Sequence, residues 1–166
     1  LMLWLPWGQY PFLIHHWMKV GTFLIPFVLL MALSCRRADV PLLTDPKTAS
    51  ALMFAAYLCH QFEEHWIDAL GNHYAFFSAT NEMLNNLLGS ANQSKEILTP
   101  EAIFIINTSL VWMVGAIAIW GSANSMFPSL ALAGITLVNG LTHIAAAIVM
   151  RAYNPGLVTA ILIFIP

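Results

Sequence analysis

Five ionisable side chains lie within nine residues of an otherwise apolar segment, and all five can bind metals or transfer protons: His60, Glu63, Glu64, His65 and Asp68. On an α-helix, His60, Glu63 and Glu64 stand at positions i, i+3 and i+4 and share one face, which Asp68 continues. His65 is expected to point elsewhere. A face of this kind predicts a buried site for metal binding or acid–base chemistry.

A second polar pair, Asn139 and His143, stands at i and i+4 on another apolar segment. With a helical rise of about 1.5 Å per residue, Glu64 lies about 24 Å along its segment and His143 about 22 Å along its own. The two segments run in the same direction if one span separates them. The two polar faces are therefore predicted to meet at one depth.

Histidine and carboxylate ligands suit zinc, iron or manganese. We expect His60, Glu64 and His143 to be the metal ligands and Glu63 to be the general acid or base. Asn139 would orient a ligand or polarise the substrate. A divalent cation would also explain how adjacent glutamates remain in an apolar layer, and without a metal a protonated glutamate would be a ready general acid.

The composition predicts that a membrane surrounds these residues. The chain has 166 residues, of which 59% are hydrophobic and 8% charged, with a mean hydropathy of +0.73, whereas soluble domains carry about a quarter charged residues. We predict a single all-α domain over residues 1–166, an integral, multi-pass transmembrane helical bundle.

A net charge of −2 without a basic stretch disfavours nucleic-acid binding. Cys35 and Cys59 form no CxxC pair, which argues against a disulfide framework or thiolate zinc site.

Four to five spans of roughly 20 residues are predicted, preceded by an interfacial segment over residues 1–17. The predicted spans are residues 18–35, 48–70, 100–120 and 128–150, with the opening of a fifth at 157–166. A short interfacial helix is expected near residues 82–88.

Charged residues between the spans give three further expectations. The basic loop 36–47 is predicted to be cytoplasmic. Asp68 and Arg151 are predicted to lie near the same interface, where they would form an ion pair. The chain begins at Leu1 and stops at Pro166 within an apolar run, so we expect a missing piece at one or both ends.

Three motifs in order resemble the HxxEE family of integral membrane proteins: HQFEE at 60–64, NGLTH at 139–143, and Arg151 followed by YNPG at 153–156. The resemblance implies a multi-pass membrane enzyme, metal-dependent and of undefined reaction. The positions it singles out are His60, Glu63, Glu64, Asn139, His143, Arg151 and Asn154. Arg151 would either anchor the helix at the interface or hold an anionic head group of the substrate.

The leading hypothesis is a metal-dependent hydrolase or isomerase that acts on a lipid-like or isoprenoid substrate within the bilayer. A second hypothesis keeps the enzyme but replaces the metal with proton transfer from a glutamate and a histidine. A third makes the chain an accessory subunit of a membrane complex that ligates haem or a pigment, and a homo-oligomer also stays open. Metal analysis and an absorbance spectrum would separate these hypotheses.

Overall fold

Six helices make up the fold in a computed structural model that describes residues 11–35, 39–41, 44–88 and 96–166. They are α1 (Pro11–Cys35), α2 (Pro46–His65), α3 (Ala75–Leu88), α4 (Pro100–Gly121), α5 (Phe127–Met150) and α6, which runs through Leu157–Thr159 and Ala160–Phe164. Within these ranges the extended backbone is limited to one antiparallel bridge between Ile67 and His73. The predicted all-α fold is confirmed.

In the part of the chain that the structure describes, three helices are long and apolar enough to cross a membrane: Pro11–Ser34, Pro100–Gly121 and Phe127–Met150. The described part of helix α1 already includes the seven residues before the predicted span, from Pro11 onwards. Residues 1–10 of the predicted interfacial segment lie outside the described residues, as do Arg36 and Arg37 of the basic loop.

Helix α2 is not one of these three apolar helices. It packs against α1, α4 and α5, and twelve of its 20 residues are buried, including both glutamates of the HQFEE motif. It ends at His65, five residues before the predicted end of its span, where the chain turns through residues 66–74. The polar helix is therefore surrounded by protein, while the exposed apolar side chains belong mainly to its neighbours.

Side-chain caps mark the first residues of α2 and α4. Asp45 Oδ2 accepts hydrogen bonds from the Thr48 backbone N–H (3.0 Å) and hydroxyl (2.7 Å) at the start of α2. Thr99 Oγ1 accepts from the Ala102 N–H (3.2 Å) at the start of α4. Each cap is followed by a proline, which lacks the N–H that a first turn leaves without a partner.

Buried amide side chains hold α2 against α4. The Trp112 indole N–H donates to Gln61 Oε1, and Gln61 Nε2 donates to Asn107 Oδ1, both at 2.8 Å. Residues Ile106–Trp112 of α4 form a π-helical turn, an irregularity found frequently at functional sites. Contacts of this kind fix the height of α2 relative to its neighbour.

Gly115 sets how closely α4 approaches α2, because a Cβ atom there would overlap the Phe54 ring. We expect Gly115→Ala to lower the free energy of unfolding by about 1–3 kcal/mol, the usual cost of overpacking a core. Gly134→Ala is the matched control, since a Cβ at that helical glycine meets nothing within 4 Å. Thermal unfolding of both variants in detergent measures the difference, and equal midpoints would contradict the close approach.

Candidate functional site

Three histidines surround the carboxylate of Glu64. Glu64 Oε2 lies 3.0 Å from His65 Nε2 and 3.4 Å from His60 Nε2, and Glu64 Oε1 lies 3.3 Å from His143 Nε2. All four side chains are buried. The structure therefore brings together the three residues predicted as metal ligands, and the two polar faces do meet at one depth.

His65 belongs to this cluster, so the expectation that it points elsewhere was wrong. It is the last residue of α2, and its ring packs edge-on against Trp17 and Phe76. These contacts turn the ring towards Glu64, which helical spacing alone does not predict.

Hydrogen bonds assign the tautomers of two of the histidines. Asn154 Nδ2 donates to the His143 carbonyl (3.0 Å), so Asn154 Oδ1 must accept from His143 Nδ1–H (2.7 Å). The Thr159 hydroxyl donates to Glu63 Oε2, so it accepts from His60 Nδ1–H (2.8 Å). When neutral, each ring then carries a lone pair on Nε2, the nitrogen next to Glu64.

Two imidazole lone pairs facing a carboxylate repel it unless a proton or a cation lies between them. His60 Nε2 is buried and has no hydrogen-bond partner. One ligand atom from each of His60, Glu64 and His143 lies within 4.8 Å of the others, so the group could hold a metal ion. A second hydrogen bond that fixes each ligating ring is also typical of metal sites.

Glu63 binds the C-terminal segment and not the Glu64 cluster. Its Oε1 accepts from the Tyr153 hydroxyl and the Val158 N–H (3.0 Å each), and its Oε2 accepts from the Thr159 N–H and hydroxyl (2.6 Å each). The carboxylate thus lies at the positive end of α6, where an anion is stabilised. Burial raises the pKa of Tyr153, and the nearby charge of Glu63 raises it further, while the hydrogen bond from the Ala69 N–H acts to lower it. The phenol therefore keeps the proton that it donates to Glu63.

Gly156 lets the turn before α6 pass directly beneath the two rings. Its φ is +93°, and an added Cβ would lie 2.7 Å from His143 Cε1 and 2.8 Å from His60 Cε1. A side chain there would strain the backbone and displace both imidazoles at once.

A cavity of about 570 Å³ adjoins the cluster, within the size range of small-molecule sites. Glu64 and His143 form part of its wall, and apolar side chains from α3, α4 and α5 form most of the rest. The principal apolar lining residues are Phe76, Met83, Ile106, Leu110, Val111, Ile135, Val138 and Met150.

Asn139 also lines this cavity, beside Tyr57. Asn139 Oδ1 is itself buried and has no hydrogen-bond partner. Both residues therefore lie in the cavity wall next to the Glu64 cluster and do not belong to that cluster.

Arg151 is placed away from the cluster. It is exposed, adopts a left-handed conformation (φ 51°) at the end of α5, and does not line the cavity. The predicted ion pair with Asp68 was wrong, because the Asp68 carboxylate accepts from Asn72 Nδ2 (3.1 Å) and the Asn72 and Leu70 N–H groups. Burial acts to raise the pKa of Asp68, but these hydrogen bonds outweigh it and lower the pKa.

Sequence reasoning missed the residues that hold the ligands in place. Thr159 has no signal of its own, and the role of Gly156 beneath the rings is not evident from a turn motif. Tyr153 lies in the YNPG motif and contacts Glu63. In the sequence, the one signal for this contact is the order of the motifs along the chain.

A bundle of apolar helices around a buried carboxylate and three histidines defines the class: a helical, membrane-type protein with a candidate metal centre. The chain belongs to the family of proteins of unknown function with an HXXEE motif, whose family model matches residues 51–166. No curated protein and no solved structure matches the chain.

Proposed function

We propose that the protein is a multi-pass integral membrane enzyme that binds a divalent metal and acts on a lipid-like substrate. One observation carries the proposal: two histidines whose Nδ1 atoms are held by hydrogen bonds place Nε2 within 3.4 Å of the Glu64 carboxylate, in the wall of an apolar cavity. A buried arrangement of this kind is unfavourable unless it holds a positive charge.

His60, Glu64 and His143 would hold the metal. When bound, a divalent cation can activate water for hydrolysis or act as a Lewis acid on a carbonyl. Asn154 fixes the ring of His143, and Thr159 fixes that of His60. Asn139 and Tyr57 line the cavity that the substrate would occupy.

Glu63 was predicted to be the general acid or base, and its surroundings favour a different role. Four donors converge on its two oxygens and connect it, through the Thr159 hydroxyl, to the ring of His60. We infer that Glu63 positions α6 and His60, while acid–base chemistry would fall to a histidine of the cluster.

Metal analysis tests this proposal. Protein purified in detergent without added chelator is expected to contain about one zinc, iron or manganese ion per chain. Loss of one proposed ligand in His60→Ala or His143→Ala should leave less than about a tenth of that metal. His73→Ala is the control, because His73 is exposed and lies in the turn after α2.

The outcomes also separate the alternative functions. Wild-type protein that never holds stoichiometric metal, even after reconstitution, would overturn the metal site and favour proton transfer between Glu64 and the histidines. A Soret or pigment band in the absorbance spectrum, lost in His143→Ala, would favour an accessory subunit that ligates a chromophore.

A further inference from the structure

A second cavity, of about 400 Å³, adjoins the Glu64 cluster through His65. It lies between the N-terminal parts of α1, α3 and α4, at the end of the bundle where α2 stops. His65 lines this second cavity, whereas Glu64 lines the first cavity, of about 570 Å³. Because His65 Nε2 lies 3.0 Å from Glu64 Oε2, the cluster borders both cavities.

The boundary between the two cavities is thin at the cluster. Of the described residues, only Phe76 lines both cavities. The centroid of its ring lies 4.6 Å from that of His65 and 6.3 Å from that of His143. One aromatic ring and the contact between Glu64 and His65 therefore separate the two cavities at this point.

The two cavities open onto different surroundings. The exposed residues in the wall of the first cavity belong to α4 and α5 and are mainly apolar: Ile106, Leu110, Gly134, Val138 and Thr142. In the wall of the second cavity the exposed residues are His15 and Tyr74. An apolar rim on membrane helices faces hydrocarbon, whereas side chains with an apolar body and a polar tip are typical of the membrane surface.

A lysine and two aromatic rings mark this end of the bundle as the membrane surface. Lys19 Nζ lies 5.5 Å from the centroid of the Trp66 ring and 5.9 Å from that of the Tyr74 ring. The turn after α2 also exposes residues 71–73, among them an asparagine and a histidine. Lysine, tryptophan and tyrosine are the residues that anchor helices at the interface between lipid and water. The second cavity therefore opens towards water.

We propose that the second cavity is the route by which water reaches the Glu64 cluster from the membrane surface, while the lipid-like substrate enters the first cavity from the bilayer. This inference rests on the proposed function and narrows it to a hydrolase, because hydrolysis consumes water and isomerisation does not. The H and OH of the water add to the two fragments of the cleaved bond, so no further reactant is needed. His65 is the side chain at which this route meets the cluster.

Cysteine labelling tests which cavity holds water. Ile103 and Val111 are buried residues of the same helix, α4, and line the second and the first cavity respectively. Each is replaced by cysteine in a chain that carries Cys35→Ser and Cys59→Ser, and the protein in phosphatidylcholine nanodiscs is treated with a quaternary-ammonium methanethiosulfonate. We expect Ile103→Cys to react at least about tenfold faster than Val111→Cys, because a charged group is on the order of a hundredfold scarcer in hydrocarbon than in water.

Two further cysteine variants make the test specific. Val149→Cys, on the exposed apolar surface of α5, should react as slowly as Val111→Cys. His65→Cys, in protein freed of metal by a chelator, should react faster than Val111→Cys, because position 65 lies where the second cavity meets the cluster. Complete labelling of every variant in dodecyl sulfate shows that each thiol is present, and circular dichroism before labelling shows that each variant is folded.

The contradicting results are distinct. Labelling of Ile103→Cys as slow as that of Val111→Cys would overturn the water route, and so would a fast Ile103→Cys beside an inert His65→Cys, since water would then stop short of the cluster. Fast labelling of Val111→Cys would contradict the division between the two cavities.

Metal content measured on the unmodified protein separates this inference from the proposed function, because none of the labelling rates requires a bound metal. Water access in a protein that never holds metal would contradict the metalloenzyme alone. A metal-loaded protein whose second cavity excludes the charged reagent would contradict the water route alone.

Discussion

Gly156→Ala is expected to lose most of its bound metal and to unfold more readily than the wild type. The new Cβ would lie 2.7 Å from His143 Cε1 and 2.8 Å from His60 Cε1, so both proposed ligands must shift. Displaced or misoriented ligands typically cost tenfold to a hundredfold in metal affinity, and the left-handed backbone adds about 1–2 kcal/mol of strain. Metal titration and thermal unfolding in detergent measure the two effects.

Gly71→Ala separates strain from ring displacement. Gly71 also has a positive φ of +83°, but an added Cβ there meets nothing within 4 Å. This variant should show the loss of stability and keep the metal. If Gly156→Ala bound metal as tightly as Gly71→Ala, the packing of the turn beneath the two imidazoles would not matter for the site.

Glu64→Gln and Glu63→Gln are expected to fail in different ways, although the two residues are adjacent. Glu64→Gln should bind less than about a tenth of the wild-type metal, because it loses the anionic ligand, yet stay folded. Its amide N–H can donate to a histidine Nε2 lone pair, which replaces a buried charge by a satisfied neutral group.

Glu63→Gln should instead lower the free energy of unfolding by about 1–3 kcal/mol, the cost of leaving buried donors without an acceptor. Each Glu63 oxygen accepts two hydrogen bonds, so an amide nitrogen in either position faces two donors. Metal loss in this variant should follow from His60, whose Nδ1 partner Thr159 depends on Glu63.

Denaturation curves with and without chelator, together with metal content, distinguish these outcomes. Glu82→Gln is a control for loss of a glutamate charge, since Glu82 is exposed on α3. An unfolded Glu64→Gln beside a stable Glu63→Gln that lacks metal would reverse the two assigned roles.

The amino-acid sequence by itself determined the class of the protein and three of the four residues of the cluster: His60, Glu64 and His143. Long apolar segments with a charged content of 8% are typical of helical membrane proteins. Helical periodicity placed His60 and Glu64 on one face, and the count of residues from the helix starts placed His143 at their depth. These inferences rely on local geometry, which is nearly independent of the rest of the fold.

Only the tertiary structure decided which of the ionisable residues share the site and what each one contacts. The ring of His65 turns towards Glu64 because Trp17 and Phe76 pack against it. The turn before α6 brings Gly156 under the rings. The first turn of α6 brings Thr159 to Glu63, although the two residues are 96 positions apart in the chain. Contacts between residues so distant in the chain depend on how helices pack, and helical spacing carries no information about that packing.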